Sequence, residues 1–277
     1  MKKIIQVFLS GIFKFSKGKK GLYGLYYHVL IKTLDILEFG NGGQPESSGE
    51  IHVLKKIKTY TTNPTIFDCG ANKGQYSNLC LKEIGQGAVI HCFEPSSKTF
   101  VKLKENLGNK KNIILNNAAV GEKRTKMKLF SDGDTSIHSA LIQHDLTHHQ
   151  LNMQEQEEVD VITIDEYCLE KKITKINLLK LDIEGYEYFA LLGAKRILND
   201  ETIDMIQFEM GKTNIDSRTY FKDFYKLLIN GYKFYRILTW GIKALPEEYT
   251  ELNELFYCCN YLAVSRSRKE LIFQIDQ

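Results

Sequence analysis

Short apolar segments rich in β-branched and aromatic residues alternate with longer amphipathic segments from residue 50 onward. The amphipathic segments have the length of about ten to fifteen residues that is typical of helices joining parallel strands and covering both faces of a sheet. The pattern therefore predicts a doubly wound α/β domain with a mostly parallel, seven-stranded sheet. The seven predicted strands are 65–70, 88–95, 113–121, 176–182, 203–211, 233–238 and 256–265.

The segments before and between these strands are mostly predicted to be helices, among them 51–59, 75–84, 186–198 and 217–231. The largest exception is 131–158, which follows a short strand-like run. Its residues are largely polar and show neither the helical period nor the alternation of a strand. This stretch is therefore predicted to be irregular.

Residues 1–49 precede the alternating pattern and are predicted to form a helical extension to a domain of residues 50–277. In a helix, Ile4, Phe8, Ile12 and Phe15 would share one face, with lysines at both ends. Such a segment suits an anionic membrane surface, although a helix packed on the domain is the alternative. Its apolar core of about ten residues is too short to span a bilayer.

Charge is distributed unevenly along the chain. The net charge is +3, but residues 1–20 carry six lysines and no acid, so the remainder has a net charge of −3. The body of the protein therefore offers no broad basic surface for nucleic acid. The six cysteines form no CxxC pair, and several lie in apolar strands. This usage favours a reduced, cytoplasmic protein, with residues 1–20 as its contact with the inner face of the membrane.

Polar residues stand where several predicted strands end. They are Asp68, Glu94, Asn117, Asp182 and Glu209. Ligands of open α/β sheets bind in the crevice at the carboxyl ends of the strands. We therefore expect these side chains to share one ligand site.

The loop that follows the first predicted strand does not have the sequence of a phosphate-binding loop. Gly70 and Gly74 are four residues apart, so neither the GxGxxG nor the GxxxxGK[ST] pattern is present. Asp68 would repel a pyrophosphate but could pair with an ammonium group, and Glu94 could hold two ribose hydroxyls. A ligand with an amine, a sulfonium and a ribose fits, which indicates S-adenosylmethionine. An NAD-dependent oxidoreductase would reuse Glu94 and stays an alternative, as does a non-catalytic nucleotide-binding protein.

Several of these motifs resemble those of one family. The stretches "FDCGANKGQYS", "FEPSSKTF", "NNAAVG", "VDVITIDEY", "LLKLDIEGYEYFALLGAKRIL" and "IQFEMG" follow one another between residues 65 and 211. In this order and spacing they resemble the FkbM-type methyltransferases, a branch of the Rossmann-like, class I enzymes that depend on S-adenosylmethionine. Cys69 stands where that family more often has valine.

The resemblance implies a role for each matching position. It implies that the turn under the methionine part of the cofactor is formed by Gly70, Ala71, Asn72 and Gly74. Asp68 would help to hold the amine through this loop, and Glu94 would take the ribose hydroxyls. Asn117 and Ala118 would border the adenine, and Asp182 would lie near the methyl group. Tyr76, beside the loop, would cover the cofactor or pack in the core.

Methyl transfer to a hydroxyl requires a group that takes up the proton. The candidates are Asp182, Glu184 and Glu209 at strand ends, and His138 in the irregular stretch. Carboxylates could instead hold a divalent cation that lowers the pKa of the hydroxyl. The sequence does not choose between these alternatives.

The irregular stretch also contains His144 and His148, which would share a helix face. They are interpreted as solvated residues of a polar lid, with metal binding as the alternative. Taken with the resemblance and the basic N-terminus, these features predict an O-methyltransferase. Its expected acceptor is a sugar hydroxyl of a glycan or glycolipid precursor.

Overall fold

Of the 277 residues, the computed structural model describes 11, 13–14, 16–40, 45, 47–133, 139–144, 153 and 155–277. The chain divides into two compact units, Met1–Gly40 and Asn41–Gln277. The domain division predicted at residues 49 and 50 stays a prediction.

The first unit contains a short 3₁₀ helix, Lys20–Leu22, and the helix α1, Tyr23–Ile36. No residue of α1 is buried. In the part of the chain that the structure describes, no helix combines the length and the apolar character that a membrane crossing requires. The four apolar residues predicted to face a membrane, Ile4, Phe8, Ile12 and Phe15, lie outside the described residues.

Twelve strands are found among the described residues and are numbered in chain order. They are β1 (Thr65–Cys69), β2 (Val89–Phe93), β3 (Ile113–Asn116), β4 (Ala119–Val120), β5 (Thr125–Ser131), β6 (Ser139–Ala140), β7 (Glu155–Ile162), β8 (Ile176–Leu181), β9 (Ile203–Met210), β10 (Tyr232–Leu238), β11 (Gly241–Ala244) and β12 (Cys259–Ser265).

Eight of these strands form the main sheet, in the order β11-β10-β12-β9-β8-β1-β2-β3. Five neighbouring strands of this sheet, β9, β8, β1, β2 and β3, pair in parallel. In contrast, β12 is antiparallel to both of its neighbours, and β11 is antiparallel to β10. The predicted α/β class is confirmed, with a sheet that is mixed. The predicted count of seven strands is wrong because β11 was missed. This edge strand has four residues, none of them buried, and lacks an apolar run.

Helices cover both faces of the main sheet. Those of the second unit are α2 (Glu50–Tyr60), α3 (Gln75–Ile84), α4 (Ser97–Leu107), α5 (Ile164–Lys171), α6 (Glu187–Leu192), α7 (Lys195–Asn199), α8 (Thr213–Ser217), α9 (Phe221–Leu228) and α10 (Lys269–Asp276). Successive strand residues point to opposite faces. On β1, Ile66 belongs to a buried cluster with Leu54 of α2, while Phe67 contacts Tyr167 of α5 edge to face at 5.7 Å.

The segment 186–198, predicted as one helix, forms α6 and α7. The break falls at Gly193, where a Cβ atom would lie 2.0 Å from the carbonyl oxygen of Gly121. The segment 217–231, also predicted as one helix, becomes helical as α9 only at Phe221. Arg218, with a left-handed φ of 54°, ends the preceding α8.

A second sheet, in the order β4-β7-β5-β6, lies between β3 and β8 in the sequence. The irregular prediction for 131–158 is wrong where β7 begins, at Glu155. This strand pairs antiparallel with β5 along its length. Its exposed residues are polar and mostly charged, and Glu158 forms an ion pair with Lys126 of β5 at 2.9 Å. These charged residues made the strand read as a polar loop.

Candidate active site

The carboxyl ends of β1, β2, β8 and β9 open onto one cleft. The predicted cofactor residues that line it are Gly70, Ala71, Asn72, Tyr76, Glu94, Ala118 and Asp182. Glu209, predicted as catalytic, lines it too. Asp68, Gly74 and Asn117 are not among the lining residues. Because the strand order is β2-β1-β8-β9, Glu94 and Glu209 approach the cleft from opposite halves of this sheet edge.

The turn after β1 is fixed by its backbone. The N–H groups of Gly70 and Ala71 both donate to the carbonyl oxygen of Phe93, at 3.0 Å each. Gly70 has a φ of 86°, and a Cβ atom there would lie 1.8 Å from the carbonyl oxygen of Asp182. Only glycine fits this position. The turn therefore lies directly against the residue that follows β8.

Glu94 is held by two backbone groups. Its Oε2 accepts from the N–H of Asn72 at 3.0 Å, and its Oε1 accepts from the N–H of Ser96 at 2.9 Å. Burial raises the pKa of Glu94 to about 7, although these two hydrogen bonds oppose the rise. A carboxylate has about four acceptor positions, so each oxygen can accept one more hydrogen bond. The side chain therefore fits a pair of ribose hydroxyls.

Asp68 lies behind the turn and is fully buried. Its Oδ2 accepts from the hydroxyl of Ser77 on α3 at 2.6 Å, while Oδ1 has no hydrogen-bond partner among the described residues. Burial raises the pKa of Asp68. Any effect of Asp68 on a cofactor amine would pass through the loop, as the resemblance implied, and this role stays a prediction.

Two further predicted residues support the cleft from behind. Asn117 donates from Nδ2 to the carbonyl oxygens of Glu94 at 2.8 Å and of Pro95 at 3.0 Å. It therefore fixes the turn that carries Glu94. Gly74 is the residue before α3 and has a φ of 88°. The next residue after Asn117, Ala118, lines the cleft itself.

A buried lysine that the sequence pattern did not single out also lines the cleft. Lys180 Nζ is 2.7 Å from Asp182 Oδ2 and 4.0 Å from Glu50 Oε1. Burial alone would lower the pKa of Lys180, but Asp182, Glu50 and Asp68 outweigh it and the pKa lies above its ordinary value. Lys180 is therefore charged. Lys180 lies two residues before Asp182, so both side chains are on the same face of the strand. This spacing is the sequence signal from which their contact could have been predicted.

Glu50 at the start of α2 is the second cleft residue that was missed. It is buried and accepts from the hydroxyl of Ser48 at 2.7 Å and from the side-chain amide of Gln207. Gln207 in turn accepts from the hydroxyl of Tyr76 at 3.4 Å. The ring of Tyr76 lies 4.8 Å from Lys180 Nζ, in cation–π contact. Tyr76 thus both lines the cleft and packs in the core.

Glu209, near the end of β9, is a candidate proton acceptor. Burial and then the carboxylates of Asp182 and Glu184 raise the pKa of Glu209 to about 8, against a hydrogen bond with the Cys258 thiol. Asn260 of β12 stands opposite Glu209 in register and also lines the cleft. A carboxyl group with this pKa is well matched to accept a proton from a substrate at mildly alkaline pH.

The loop after β8 is held by Glu187, the first residue of α6. The Oε1 of Glu187 accepts from the N–H groups of Ile183 at 3.0 Å and Gly185 at 3.1 Å. Burial raises the pKa of Glu187 to about 8. Glu184 within this loop has a φ of 52°. The loop is therefore a fixed wall of the cleft, with Asp182, Ile183 and Glu184 lining it.

The histidines of the polar stretch divide into two groups. His138 and His148 lie outside the described residues, so the catalytic role of His138 stays a prediction. His144 is not solvated as expected, because its side chain is 1% exposed. Among the residues that the structure describes, no three His, Cys, Asp or Glu side chains are grouped to hold a metal ion. The divalent cation stays a hypothesis.

This fold and cleft define a class I, Rossmann-like methyltransferase. The model of the methyltransferase FkbM domain matches residues 68–234, and the chain belongs to this family. The predicted resemblance is confirmed, and with it the methyltransferase class and S-adenosylmethionine as the methyl donor. The oxidoreductase alternative is thereby set aside.

Two characterised proteins are similar to the chain. One is the 2-O-methyltransferase NoeI of Sinorhizobium fredii, at 23% identity over 58% of this chain and 70% of NoeI. The other is the hexuronic acid methyltransferase AglP of Haloferax volcanii, at 25% identity over 59% of this chain and 64% of AglP. The chain therefore spans a little under two thirds of the length of AglP.

Among solved structures, the methyltransferase FkbM of Methylobacillus flagellatus aligns with a TM-score of 0.43 and 15% identity. The alignment covers 73% of this chain and 44% of that one.

Replacement of Glu94 by alanine is expected to weaken the binding of S-adenosylmethionine and of its demethylated product at least tenfold. The variant loses a charged acceptor for two hydroxyls, each bond contributing roughly 1.5–3 kcal/mol. Hydroxyls prefer the ionised carboxylate, so binding to the parent should weaken as pH falls through about 7, the pKa of Glu94. In the variant this pH dependence should disappear. Calorimetry on both sides of that pH measures both effects.

Glu157→Ala is the matched control. Glu157 also accepts two hydrogen bonds at the start of α4, from Ser97 N at 3.0 Å and Ser97 Oγ at 2.7 Å, but it does not line the cleft. Its replacement should leave cofactor affinity well above pH 7 close to that of the parent. Because the charge of Glu157 helps to raise the pKa of Glu94, the pH dependence should persist in this variant but move to lower pH. Equal affinities for the parent and Glu94→Ala would reject the ribose assignment.

Proposed function

We propose that the chain transfers a methyl group from S-adenosylmethionine to a sugar hydroxyl of a glycan or glycolipid precursor. The observation that carries this proposal is the joint presence of Glu94 and Glu209 in one cleft. Glu94 offers acceptors for a ribose, and Glu209 has a pKa of about 8. A cofactor-binding end and a proton-accepting end are the two parts that transfer to a hydroxyl needs.

The cofactor supplies a methyl group on a positively charged sulfur, which is already a good leaving group, so the protein mainly aligns the acceptor and takes its proton. Glu209 is the proposed proton acceptor. Lys180 holds Asp182 at 2.7 Å and fixes its orientation. A carboxylate acceptor would have no proton to lose, so the proton acceptor in the cleft favours a hydroxyl.

The names of the two relatives support the acceptor class. NoeI is a 2-O-methyltransferase, and AglP acts on a hexuronic acid. Both fit transfer to oxygen, and AglP fits a sugar acceptor. The six lysines among residues 1–20 support an acceptor carried at a membrane.

Mass spectrometry tests the proposal. The full chain is incubated with methyl-labelled S-adenosylmethionine and with glycans, glycolipid precursors and matched neutral sugars and uronic acids. One labelled methyl group on a sugar hydroxyl is the expected product, and Glu209→Gln serves as the low-activity control. Calorimetry with NAD accompanies it. Tight NAD binding with no response to S-adenosylmethionine would reject the proposal, and a methyl ester as the only product would reject the hydroxyl.

Removal of residues 1–20 is expected to abolish reversible binding to anionic vesicles. Each of the six lysines contributes about 1 kcal/mol near an anionic surface, and salt screens this attraction. The full chain should therefore pellet with anionic vesicles at low salt and be released at high salt. Neutral vesicles are the control. Equal pelleting of both proteins would show that these residues are not a membrane contact.

A further inference from the structure

We infer that His144 is a positioning residue of the active site, which ties two segments of the cleft wall together as an imidazolium ion. The expected effect of His144 on turnover rests on the proposed function. The contacts of His144 do not depend on that proposal.

His144 joins three segments of the second unit. It follows β6 in a segment whose Ser139 and Leu141 line the cleft. Its Nε2 is 2.8 Å from the carbonyl oxygen of Glu184 in the loop after β8. Its Nδ1 is 3.0 Å from Oδ2 of Asp216 on α8. The ring therefore fastens the segment after β6 to the opposite loop and anchors both to α8.

The chemistry of these contacts sets the protonation state of the ring. A backbone carbonyl and an ionised carboxylate can only accept hydrogen bonds. A neutral imidazole has one N–H, so its second nitrogen would present a lone pair to one of the two oxygens. Both contacts are satisfied only when both nitrogens of His144 carry protons.

The charged groups on the three segments are acidic. The segments 139–144, 182–187 and 213–217 contain no lysine or arginine, although Lys212 and Arg218 flank the third. Their titratable side chains besides His144 are Asp182, Glu184, Tyr186, Glu187 and Asp216. The side chain of His144 is 1% exposed and that of Asp216 is 32% exposed, so the pair is largely shielded from solvent and salt.

The loop that His144 contacts needs such support. Glu184 has a φ of 52°, which a residue with a side chain adopts only where its surroundings hold it. Glu187 fixes the neighbouring N–H groups, and His144 fixes the Glu184 carbonyl. Asp182 and Glu184 line the cleft and raise the pKa of Glu209, so this loop sets the position of two charges that act on Glu209.

Nitrogen-15 NMR of histidine-labelled full chain tests the protonation state near neutral pH. Both ring nitrogens of His144 should give imidazolium shifts in the parent. In Asp216→Asn, the amide can donate to a neutral ring nitrogen, so one nitrogen should lose its proton. His52, whose Nε2 contacts the carbonyl oxygen of Thr239 at 3.0 Å, is the internal reference and should not change. A neutral His144 in the parent overturns the inference.

Hydrogen exchange and kinetics test the positioning. In His144→Ala, exchange should rise at least tenfold in residues 182–187 and stay unchanged in 66–75, where the cofactor turn lies. With the acceptor found by mass spectrometry, kcat should fall about tenfold while cofactor affinity is kept, and Asp216→Asn should retain more activity than His144→Ala.

Unchanged exchange in 182–187, or an equal loss of activity in both variants, overturns the positioning role. Absence of methyl transfer by the parent would instead count against the proposed function, and the NMR and exchange results would still decide on His144.

Discussion

Methionine in place of Lys180 is expected to reduce methyl transfer more than about a hundredfold and to lower the free energy of unfolding by about 3 kcal/mol. The variant keeps the length of the side chain but leaves buried Glu50 and Asp68 without the cation that lowers their pKa values. It also frees Asp182 from its contact at 2.7 Å. The expected stability loss is at the low end of the range for breaking a buried ion pair. The reason is that the side chain of Asp182 is 44% exposed, so solvent weakens its interaction with Lys180.

The pH dependence of this variant has a definite sign. The pKa values of Glu50 and Asp68 already lie above their ordinary range in the folded protein, chiefly because of burial, and loss of Lys180 raises them further. Acids with a raised pKa are best tolerated while protonated, so they cost least below the ordinary carboxyl range and most as pH rises through the folded values. Lys180→Met should therefore be close to the parent in stability at acidic pH and fall behind it as pH rises.

Urea denaturation over a pH series measures this difference, with Lys175→Met as the matched control. Lys175 also contacts a buried acid, Asp204, at 3.1 Å. In this control, however, Asp204 would still have two partners, the side-chain amide of Asn177 at 2.7 Å and the guanidinium of Arg268. The control should lose less than about 1 kcal/mol. Equal losses in the two variants, or a Lys180→Met protein that turns over normally, would contradict the structural role of Lys180.

The strand ends of the site could be predicted from the sequence because each is marked locally. Glu94 and Glu209 close apolar runs, and the turn at Gly70 follows a buried strand directly. In a parallel sheet, such ends meet at one edge whatever the details of packing. That rule is enough to bring residues 141 positions apart in the printed sequence, Asp68 and Glu209, to the same edge of the sheet.

The partners of these residues could not be predicted in the same way. Glu50 reaches the cleft from the start of a helix, and its contact with Gln207 spans 157 positions. His144 is buried and contacts partners 40 and 72 positions away. No local pattern marks a polar residue that tertiary packing buries. The same limit hid the start of β7, whose exposed residues are polar and whose Glu158 is paired with Lys126 of β5, a contact that the local sequence does not mark.

Replacement of Glu209 by glutamine is expected to lower turnover by about a hundredfold to ten-thousandfold, the range for loss of a general base. Cofactor affinity should stay close to that of the parent because Glu94 and the turn at Gly70 follow other strands, β2 and β1. A base must be ionised to act, so turnover by the parent should rise with pH through about 8 and then level off. The variant should lack this rise.

Glu184→Gln is the matched control, because Glu184 lines the same cleft and its charge helps to raise the pKa of Glu209. Removal of that charge should lower the pKa of Glu209, so the alkaline rise in turnover should move to lower pH while the maximum rate is largely kept. Asp182→Asn removes a second charge that acts in the same direction, but it also leaves Lys180 without its closest partner and should reduce the maximum rate as well. Turnover measured across pH with labelled cofactor separates the three variants. If Glu209→Gln keeps both the rate and the rise with pH, the proton goes to another group, and His138→Ala becomes the variant to measure.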